Sequence, residues 1–197
     1  MEIDQKKESK ILLVLDIDET LVHATPERLS RKADFKVFDY FVYLRPYLND
    51  FLTDIKDDFL VSVWSSASDD YVEEVVKKIF PKDFDLKFVW GRSRCTPKRF
   101  LHIDDYDNSE SRYLDHFNYI KPLKKVKKRG YNMDKILIVD DTPHKSSDNY
   151  GNAIYPKEYL GDTDDDELKE LSKYLKTLKN IGNVRKIEKR GWRNKIE

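Results

Sequence analysis

Two aspartates separated by one residue follow an apolar segment near the start of the sequence. Residues 11–15 are only isoleucine, leucine and valine, and Asp16 and Asp18 come directly after them. Such a run is typical of a strand buried on both faces. If the chain stays extended past the strand, both carboxylates project to the same side. Because ionised carboxylates are costly in such a place, we expect them to bind a cation or to take part in chemistry.

A second pair of acids, Asp140 and Asp141, follows a second apolar segment, residues 136–139. If the two predicted strands are neighbours, three or four carboxylates share one cavity, and their mutual repulsion destabilises the fold unless a cation is bound. Mg²⁺ is a hard cation that prefers oxygen ligands. The two acid pairs therefore predict a Mg²⁺ site.

Two further polar residues complete a set that is suited to phosphoryl transfer. Ser65 ends the apolar stretch 59–64, and its hydroxyl and the following amides, beginning with Ser66, are suited to bind an anion at a helix start. Lys121 offers a point positive charge just before Pro122. In such a set one carboxylate attacks phosphorus, and a second protonates the leaving alkoxide and then deprotonates water. The metal and the lysine offset the charge on the phosphoryl oxygens.

Strand-like and helix-like segments alternate along the chain. Strands are expected at 11–15, 37–44 (a strand or half of a hairpin), 59–64, 86–90, 136–139 and 152–155. Four helices are expected. The first begins at Pro46, the second ends before Pro81, and the third lies between Pro122 and Gly130. The fourth carries Leu168, Leu171, Leu175 and Leu178. This alternation predicts an α/β fold with a mostly parallel central sheet and helices on both faces. Ligands bind such sheets beyond the carboxyl ends of the strands, where the polar clusters lie.

Residues 91–118 show no clear periodicity, and we interpret them as an insertion or a long functional loop. The segment contains Arg92, Arg94, Lys98 and Arg99. These side chains are expected either to guide an anionic substrate or to form a solvated loop.

The composition limits the classes of partner. Lysine plus arginine number 37, as do aspartate plus glutamate, so the zero net charge gives no general attraction to nucleic acid or to membranes. The single cysteine excludes an internal disulfide and a cysteine-rich zinc site. The polar start lacks an apolar signal core, and no window is long and apolar enough to span a bilayer. We therefore expect a cytoplasmic location, or a nuclear one in a eukaryote, and no oligomeric state is predicted.

Four stretches of the sequence resemble known motifs in the right order. LDIDETLVH resembles the first motif, DxDx(T/V), of haloacid-dehalogenase superfamily phosphatases, and it is most similar to the DLDETLVH variant. That variant occurs in the family of RNA polymerase C-terminal-domain phosphatases, also called the NLI-interacting-factor family. VSVWSSAS, NYIKPL and ILIVDDTP are similar to the second, third and fourth motifs, and LRPYLNDFL is similar to the RPG-x-x-x-FL segment. The resemblance extends from about residue 9 to residue 180.

The resemblance implies a Rossmann-like fold of the haloacid-dehalogenase type and a role for each matched residue. Asp16 matches the nucleophile and Asp18 the general acid and base. The Asp16 carboxylate, the Asp18 carbonyl and the Asp141 carboxylate match the Mg²⁺ ligands, and Asp140 matches the residue that orients the catalytic Lys121. We assign substrate binding to Thr20, Ser65, Ser66 and Arg92.

The resemblance also sets the expected domain boundaries. Residues 1–8 are expected to be a polar tail and 9–182 the phosphatase domain, with an insertion at about 91–118. Residues 183–197 are expected to be a charged tail.

The function implied is Mg²⁺-dependent hydrolysis of phosphoserine or phosphothreonine in a protein or peptide through an aspartyl phosphate. Three alternatives remain open: a phosphatase for a nucleic-acid 3′-phosphate, a phosphatase for a small metabolite, and a non-catalytic scaffold with this fold. The balanced charge makes nucleic acid the less favoured substrate. A phospho-acceptor signalling domain is disfavoured. In such a domain the phosphorylated aspartate follows a strand in the middle of the sequence, whereas Asp16 and Asp18 follow the first strand of this chain.

Overall fold

The computed structural model describes residues 10–99 and 117–196. Ten strands lie within these ranges: β1 (Leu12–Leu15), β2 (Val22–Thr25), β3 (Phe35–Val37), β4 (Tyr40–Leu44), β5 (Leu60–Trp64), β6 (Leu86–Trp90), β7 (Thr96–Arg99), β8 (Phe117–Ile120), β9 (Ile136–Val139) and β10 (Ala153–Ile154). Four α-helices accompany them there: α1 (Leu48–Lys56), α2 (Asp69–Ile79), α3 (Lys124–Lys127) and α4 (Glu167–Leu178). Among the described residues, no helix combines the length and the apolar composition needed to cross a membrane.

Five parallel strands form the central sheet in the order β10–β9–β1–β5–β6. β1 occupies the middle, where Leu15 pairs with Val63 on one side and with Val139 on the other. All four residues of β1 and all four of β9 are buried, as expected for strands covered on both faces. The predicted α/β fold with a parallel sheet is confirmed.

Helices cover both faces of this sheet, as predicted. Leu13 and Leu15 point to the face that α1, α2 and α4 cover, and they belong to one buried apolar cluster with those helices. Leu12 and Val14 point to the opposite face and share a second cluster with Val126 of the short helix α3. The 2-residue alternation of the strand thus divides the core into two layers.

A second sheet, antiparallel in the order β2–β4–β3, follows the first strand of the central sheet. Residues 37–44, expected to be a strand or half of a hairpin, contain the turn of the β3–β4 hairpin and all of β4. The sequence did not predict β2, in which His23, Ala24 and Thr25 are only half buried. The first helix begins at Leu48, two residues after the expected start at Pro46.

The predicted insertion contributes an antiparallel pair. A 3-10 helix at Arg92–Arg94 precedes β7, and β7 pairs with β8. Residues 100–116 of the predicted insertion lie outside the described residues. The expected boundaries of the insertion and of the domain remain a prediction.

The chain after residue 183 packs against the domain. Val184 and Trp192 are buried members of the larger apolar cluster, beside Leu175 and Leu178 of α4. The Trp192 indole nitrogen Nε1 donates a hydrogen bond to the Tyr155 carbonyl at 3.1 Å. The segment expected to be a charged tail therefore contributes core residues in the structure.

Candidate active site

The two acid pairs meet at the carboxyl ends of β1 and β9. The Asp16 amide donates to the Val139 carbonyl at 2.9 Å, which holds Asp16 against the neighbouring strand. Carboxylate oxygens of Asp16, Asp140 and Asp141 all lie within 4.8 Å of one another. Asp16 and Asp140 are almost fully buried, whereas Asp141 is half buried. The carboxylates of the two acid pairs lie close together because β1 and β9 are neighbours.

Lys121 lies inside this acidic cluster. Its Nζ is 2.7 Å from Asp16 Oδ2 and 2.7 Å from Asp140 Oδ2, and its side chain is fully buried. The lysine directly follows β8, and its amide donates to the Lys145 carbonyl at 2.7 Å. The amide group of Asn149 donates to the Lys121 carbonyl at 3.1 Å. The contact between Asp140 and Lys121, on which the predicted orienting role depends, is therefore made.

Thr20 and Asp141 exchange two hydrogen bonds. The Thr20 hydroxyl donates to Asp141 Oδ1 at 3.2 Å, and the Asp141 amide donates back to Thr20 Oγ1 at 3.2 Å. The Thr142 hydroxyl donates to the other oxygen, Asp141 Oδ2, at 2.9 Å. Thr20 is fully buried, so its hydroxyl faces a predicted metal ligand and not the solvent.

Asp18 accepts hydrogen bonds at both carboxylate oxygens. Ser65 Oγ donates to Asp18 Oδ2 at 3.2 Å, and the Tyr71 hydroxyl donates to Asp18 Oδ1 at 2.8 Å. Ser65 is held at the end of β5 because its amide donates to the Trp90 carbonyl at 2.9 Å. The sequence analysis did not identify Tyr71, which lies on the buried face of α2 at helical spacing with Val72 and Val75.

The environment of Ser65 differs from the expected helix start. The helix α2 begins at Asp69, so the amides directly after Ser65 precede it, and the Ala67 amide donates to Ser65 Oγ at 3.0 Å. Two acids, Asp69 and Asp70, occupy the first turn of α2. Negative side chains therefore already complement the dipole of this helix, and anion binding at Ser65 and the amides after it stays a prediction.

Ser66 and Arg92 meet at the rim of the site. Arg92 Nε donates to the Ser66 carbonyl at 2.8 Å, and its guanidinium lies 5.1 Å from the centre of the Tyr119 ring. Arg92 also lines a cavity of about 280 Å³ beside Asp18 and Tyr71. Arg92 and Asp18 therefore line the same cavity.

A second lysine, Lys145, contacts the cluster and was missed by the sequence analysis. Its Nζ is 3.3 Å from Asp16 Oδ2 and 3.9 Å from Asp140 Oδ1, with 17% of the side chain exposed. The residue lies in a polar 3-10 segment, Pro143–Asn152, where its sequence neighbours give no periodic signal.

The charges of the two lysines and the burial of the acids give these acids different pKa values. Burial alone raises the pKa of Asp16, but the charges of Lys121 and Lys145 hold that pKa below its usual value. Burial and the negative charge of Asp16 raise the pKa of Asp18, although Tyr71 opposes the change. Burial and Asp16 also raise the pKa of Asp140 to about 7. One aspartate is thus kept ionised beside another that favours its proton.

Glu19 adds a further acid that the sequence analysis did not single out. Burial and the charges of Asp18 and Asp141 raise its pKa to about 8. Its backbone adopts a left-handed conformation with φ of 57°. This conformation lies in the turn after β1, where the Thr20 and Leu21 amides both donate to the Ile17 carbonyl.

The donor set fits a divalent cation. The site holds the carboxylates of Asp16, Asp18, Asp140 and Asp141, and the amines of Lys121 and Lys145 lie against Asp16. Three of these carboxylates have oxygens within 4.8 Å of one another, and oxygen ligands are those that Mg²⁺ prefers. The residues therefore suit a divalent cation, and the geometry itself does not select which one.

A larger groove of about 950 Å³ lies at the other end of the sheet. Lys10, Asp57, Lys87 and Asp85 are among its lining residues, and Lys10 Nζ donates to the Asp57 carbonyl at 2.6 Å. The groove is far from the carboxyl ends of the strands, where the acidic cluster lies. The smaller cavity beside Asp18 is therefore the better candidate for substrate.

A parallel α/β sheet with aspartates and a lysine gathered at its carboxyl ends defines the phosphatases of the haloacid-dehalogenase superfamily. Residues 11–185 match the profile of the family described as NLI interacting factor-like phosphatase, so the chain belongs to that family. The predicted family is therefore confirmed.

Individual relatives agree with this placement. The chain is 30% identical over 183 residues to the CTD small phosphatase-like protein 2 of Dictyostelium discoideum, a match that covers 89% of this chain and 29% of the relative. It is 25% identical to nuclear envelope morphology protein 1 of Saccharomyces cerevisiae, over 93% of this chain and 42% of that protein. It is 26% identical to the human CTD small phosphatase-like protein, over 84% of this chain and 55% of that protein. The chain thus spans between about a third and about half of these relatives.

Solved structures show the same fold. The structure of Fcp1, an essential RNA polymerase II CTD phosphatase, superposes with a TM-score of 0.62 at 16% identity, over 90% of this chain and 64% of that chain. The fission yeast Fcp1 structure bound to beryllium fluoride gives a TM-score of 0.55 at 18% identity, over 89% of this chain and 52% of that chain. At these identities the likeness establishes the fold.

Proposed function

We propose that the chain hydrolyses phosphomonoesters through a phosphoaspartate formed on Asp16. The observation that carries this proposal is the contrast in contacts: Asp16 Oδ2 lies beside two lysine amines, whereas Asp18 accepts hydrogen bonds from two hydroxyls. Two lysines favour the ionised form of Asp16, while burial and the charge of Asp16 favour the protonated form of Asp18. An ionised nucleophile beside a protonated acid is the arrangement that the first step of this reaction needs.

In the first step the Asp16 carboxylate attacks phosphorus. A bond forms between the carboxylate oxygen and phosphorus while the bond from phosphorus to the ester oxygen breaks. Asp18 donates its proton to that oxygen, so the product leaves as a neutral alcohol. Tyr71 and Ser65 hold the two oxygens of Asp18 during the transfer.

In the second step water attacks the phosphorus of the phosphoaspartate. Asp18, now ionised, accepts a proton from the water, and the bond between phosphorus and the Asp16 oxygen breaks. Inorganic phosphate leaves, Asp16 is again a carboxylate and Asp18 is again protonated. Lys121 lies 2.7 Å from Asp16 Oδ2, where its charge offsets the negative charge on the phosphoryl oxygens.

We assign Mg²⁺ to Asp16, Asp141 and the Asp18 carbonyl, in line with the acidic cluster. When bound, the ion supplies charge stabilisation for the transferring phosphoryl group. We propose that Asp140 orients Lys121. Thr20 then positions Asp141 through the two hydrogen bonds that they exchange, and has no direct contact with substrate.

The proposed substrate is phosphoserine or phosphothreonine in a protein or peptide. Several relatives are named as CTD phosphatases, which supports a phosphoprotein substrate. Phe38 and Tyr40 line the cavity beside Asp18 and are 58% and 43% exposed, so they present an aromatic surface to an extended peptide. We propose Ser65, Ser66 and Arg92 as its binding residues, Arg92 through its position in the lining of the cavity beside Asp18.

We propose a nuclear or cytoplasmic location. Relatives from Saccharomyces cerevisiae and Danio rerio are named for the nuclear envelope. Imaging of a fluorescent fusion in the source cells distinguishes the two compartments.

The first experiment measures hydrolysis of p-nitrophenyl phosphate in the presence of Mg²⁺. Asp16→Asn is expected to lower kcat about 1,000-fold or more, because the nucleophile is lost. Asp83→Asn is a matched control, since Asp83 is an exposed turn residue at the opposite end of the sheet. Equal rates for wild type and Asp16→Asn contradict the proposal.

A substrate panel then tests the proposed specificity. Phosphoserine and phosphothreonine peptides, 3′-phosphorylated oligonucleotides and small phosphorylated metabolites are compared by kcat/KM. The phosphopeptides are expected to be preferred, and a preference for the oligonucleotides or metabolites identifies the alternative substrate class instead.

A further inference from the structure

Lys145 is a half-buried cation beside Asp16, and the mechanism above gives it no contact with the phosphoryl group. Its Nζ lies 3.3 Å from Asp16 Oδ2, the same oxygen that Lys121 contacts at 2.7 Å. The other oxygen, Asp16 Oδ1, accepts the Ile17 amide at 2.8 Å. The proposed nucleophile therefore has one oxygen fixed by the backbone and the other between two ammonium groups.

The backbone holds the two lysines together. The Lys121 amide donates to the Lys145 carbonyl at 2.7 Å, and the Lys145 amide donates to the Thr142 carbonyl at 3.1 Å. Lys145 is thereby tied both to the end of β8 and to the turn after the second acid pair. Its position beside Asp16 depends on backbone contacts and not only on the attraction between opposite charges.

The two lysines differ in access. The Lys121 side chain is fully buried between Asp16 and Asp140, whereas 17% of the Lys145 side chain is exposed. Of the two lysines that contact Asp16, Lys145 is therefore the one that solvent reaches.

We propose that Lys145 is a second phosphate-binding lysine, which contacts the oxygens of a dianionic phosphoryl group as that group meets Asp16. This inference rests on the proposed phosphatase function. A phosphoryl group joined to the Asp16 oxygen between the two amines has its free oxygens next to both of them. Each charge-assisted contact to such an oxygen strengthens binding of the dianion and stabilises its transfer.

A purely structural role for Lys145 makes a different prediction. If the amine only compensates the charges of Asp16 and Asp140, its removal lowers the stability of the fold and leaves the affinity for inorganic phosphate unchanged. Affinity for the anion thus separates the two roles.

The experiment compares wild type, Lys145→Met, Lys145→Arg and the control Lys127→Met, whose side chain is exposed on α3. For each protein we measure kcat and KM with p-nitrophenyl phosphate, competitive inhibition by sodium phosphate, calorimetric binding of sodium phosphate, and Tm. Lys145→Met is expected to lower kcat/KM and to weaken phosphate binding, each by about 10- to 100-fold. Lys145→Arg is expected to recover most of both losses, and Lys127→Met to match wild type.

One result overturns the proposal: a phosphate affinity of Lys145→Met within twofold of wild type, whether or not its Tm is lower. Calorimetry does not require turnover, so failure of the proposed function is recognised separately. A wild-type protein that binds phosphate through Lys145 but hydrolyses no ester contradicts the phosphatase proposal and not the binding role of the lysine.

Discussion

Asp16 and Asp18 are two residues apart in sequence and have opposite electrostatic environments. Asp16 contacts two ammonium groups, which lower its pKa against the effect of burial. Asp18 has hydroxyl partners, Ser65 and Tyr71, and burial beside Asp16 raises its pKa. Partners from distant parts of the chain thus give two identical side chains different roles in the proposed mechanism.

Tyr71→Phe tests the role of Asp18 as the acid. The change removes the hydroxyl that donates to Asp18 Oδ1 at 2.8 Å and keeps the ring in the core. We expect kcat for a phosphoserine peptide to fall about 10-fold, since a hydrogen bond that orients the acid is lost. Hydrolysis of p-nitrophenyl phosphate is expected to change less than about 3-fold, because p-nitrophenolate leaves with little help from an acid.

The matched control for that change is Tyr47→Phe, at an exposed position. Steady-state kinetics on both substrates give the comparison. An equal loss on the two substrates contradicts a role for Tyr71 through Asp18.

Residue types and spacing predicted the acidic pairs, Ser65 and Lys121, and could not predict Tyr71 or Lys145. Tyr71 occupies the buried face of an amphipathic helix, where an aromatic side chain is the ordinary core choice. Lys145 is one of 37 basic residues, and its contact with Asp16 spans 129 positions of the chain. Only the pairing of β9 with β1 brings that lysine to the site.

At the scale of elements, the site is an assembly of strand ends. β1, β5, β8 and β9 each deliver a polar residue just past their last position, namely Asp16, Ser65, Lys121 and Asp140. The parallel register aligns Leu15 with Val63 and Val139, so three of these ends coincide. The acids among these residues concentrate negative charge at the site, and their mutual repulsion lowers the stability of the fold.

This concentration of charge predicts how the metal-free protein responds to pH. The pKa of Asp140 is raised from 3.8 to about 7 and that of Glu19 from 4.5 to about 8. Between the ordinary pKa of each acid and its raised value, the native chain binds more protons than the unfolded chain. The free energy of unfolding therefore falls as pH rises from about 4 to about 8. Mg²⁺ binds the native state and opposes this loss, so its stabilising effect should grow with pH.

Urea unfolding at several pH values, in EDTA and in Mg²⁺, checks this prediction. Glu19→Gln removes one titrating group, and its stability in EDTA should depend less steeply on pH. Stability in EDTA that rises with pH over this interval, or equal slopes for the two proteins, would show that the acids are not destabilising.

These strands of the central sheet were predictable because each is a short, mainly apolar run bounded by polar residues. Leu86–Trp90 and Ile136–Val139 match their expected bounds. β2 was not, because His23 and Thr25 interrupt its apolar character and its stability comes from pairing with β4. Propensity is a weak guide wherever long-range pairing decides the structure.

At the scale of the whole molecule, the last segment belongs to the core. Trp192 is 4% exposed and lies against Tyr174 of α4, with ring centres 5.6 Å apart. Lys189 donates to the Val184 and Ile187 carbonyls at 2.6 and 2.7 Å, which closes the turn that carries the tryptophan. The high density of charge in this segment obscured its two apolar anchors in the sequence.

Trp192→Ala is expected to lower the free energy of unfolding by about 3–5 kcal/mol, as other large-to-small changes in cores do. Arg190→Ala, at a side chain that is 75% exposed, should change it by no more than about 0.5 kcal/mol. Urea unfolding of the two variants provides the comparison. A loss below about 1 kcal/mol for Trp192→Ala would mean that the segment behaves as a tail in solution.

The central claim, that the Asp16 carboxylate captures phosphorus, is tested most directly by trapping the phosphorylated protein. Asp18→Asn is incubated with p-nitrophenyl phosphate and Mg²⁺, quenched in acid and digested, and the peptide of residues 11–28 is analysed by mass spectrometry. Because Asp18 is needed to activate water, we expect phosphate to accumulate on Asp16 and to be released by hydroxylamine. The account is contradicted if the wild type hydrolyses p-nitrophenyl phosphate but this peptide of Asp18→Asn carries no phosphate. Phosphate on another residue would also contradict it.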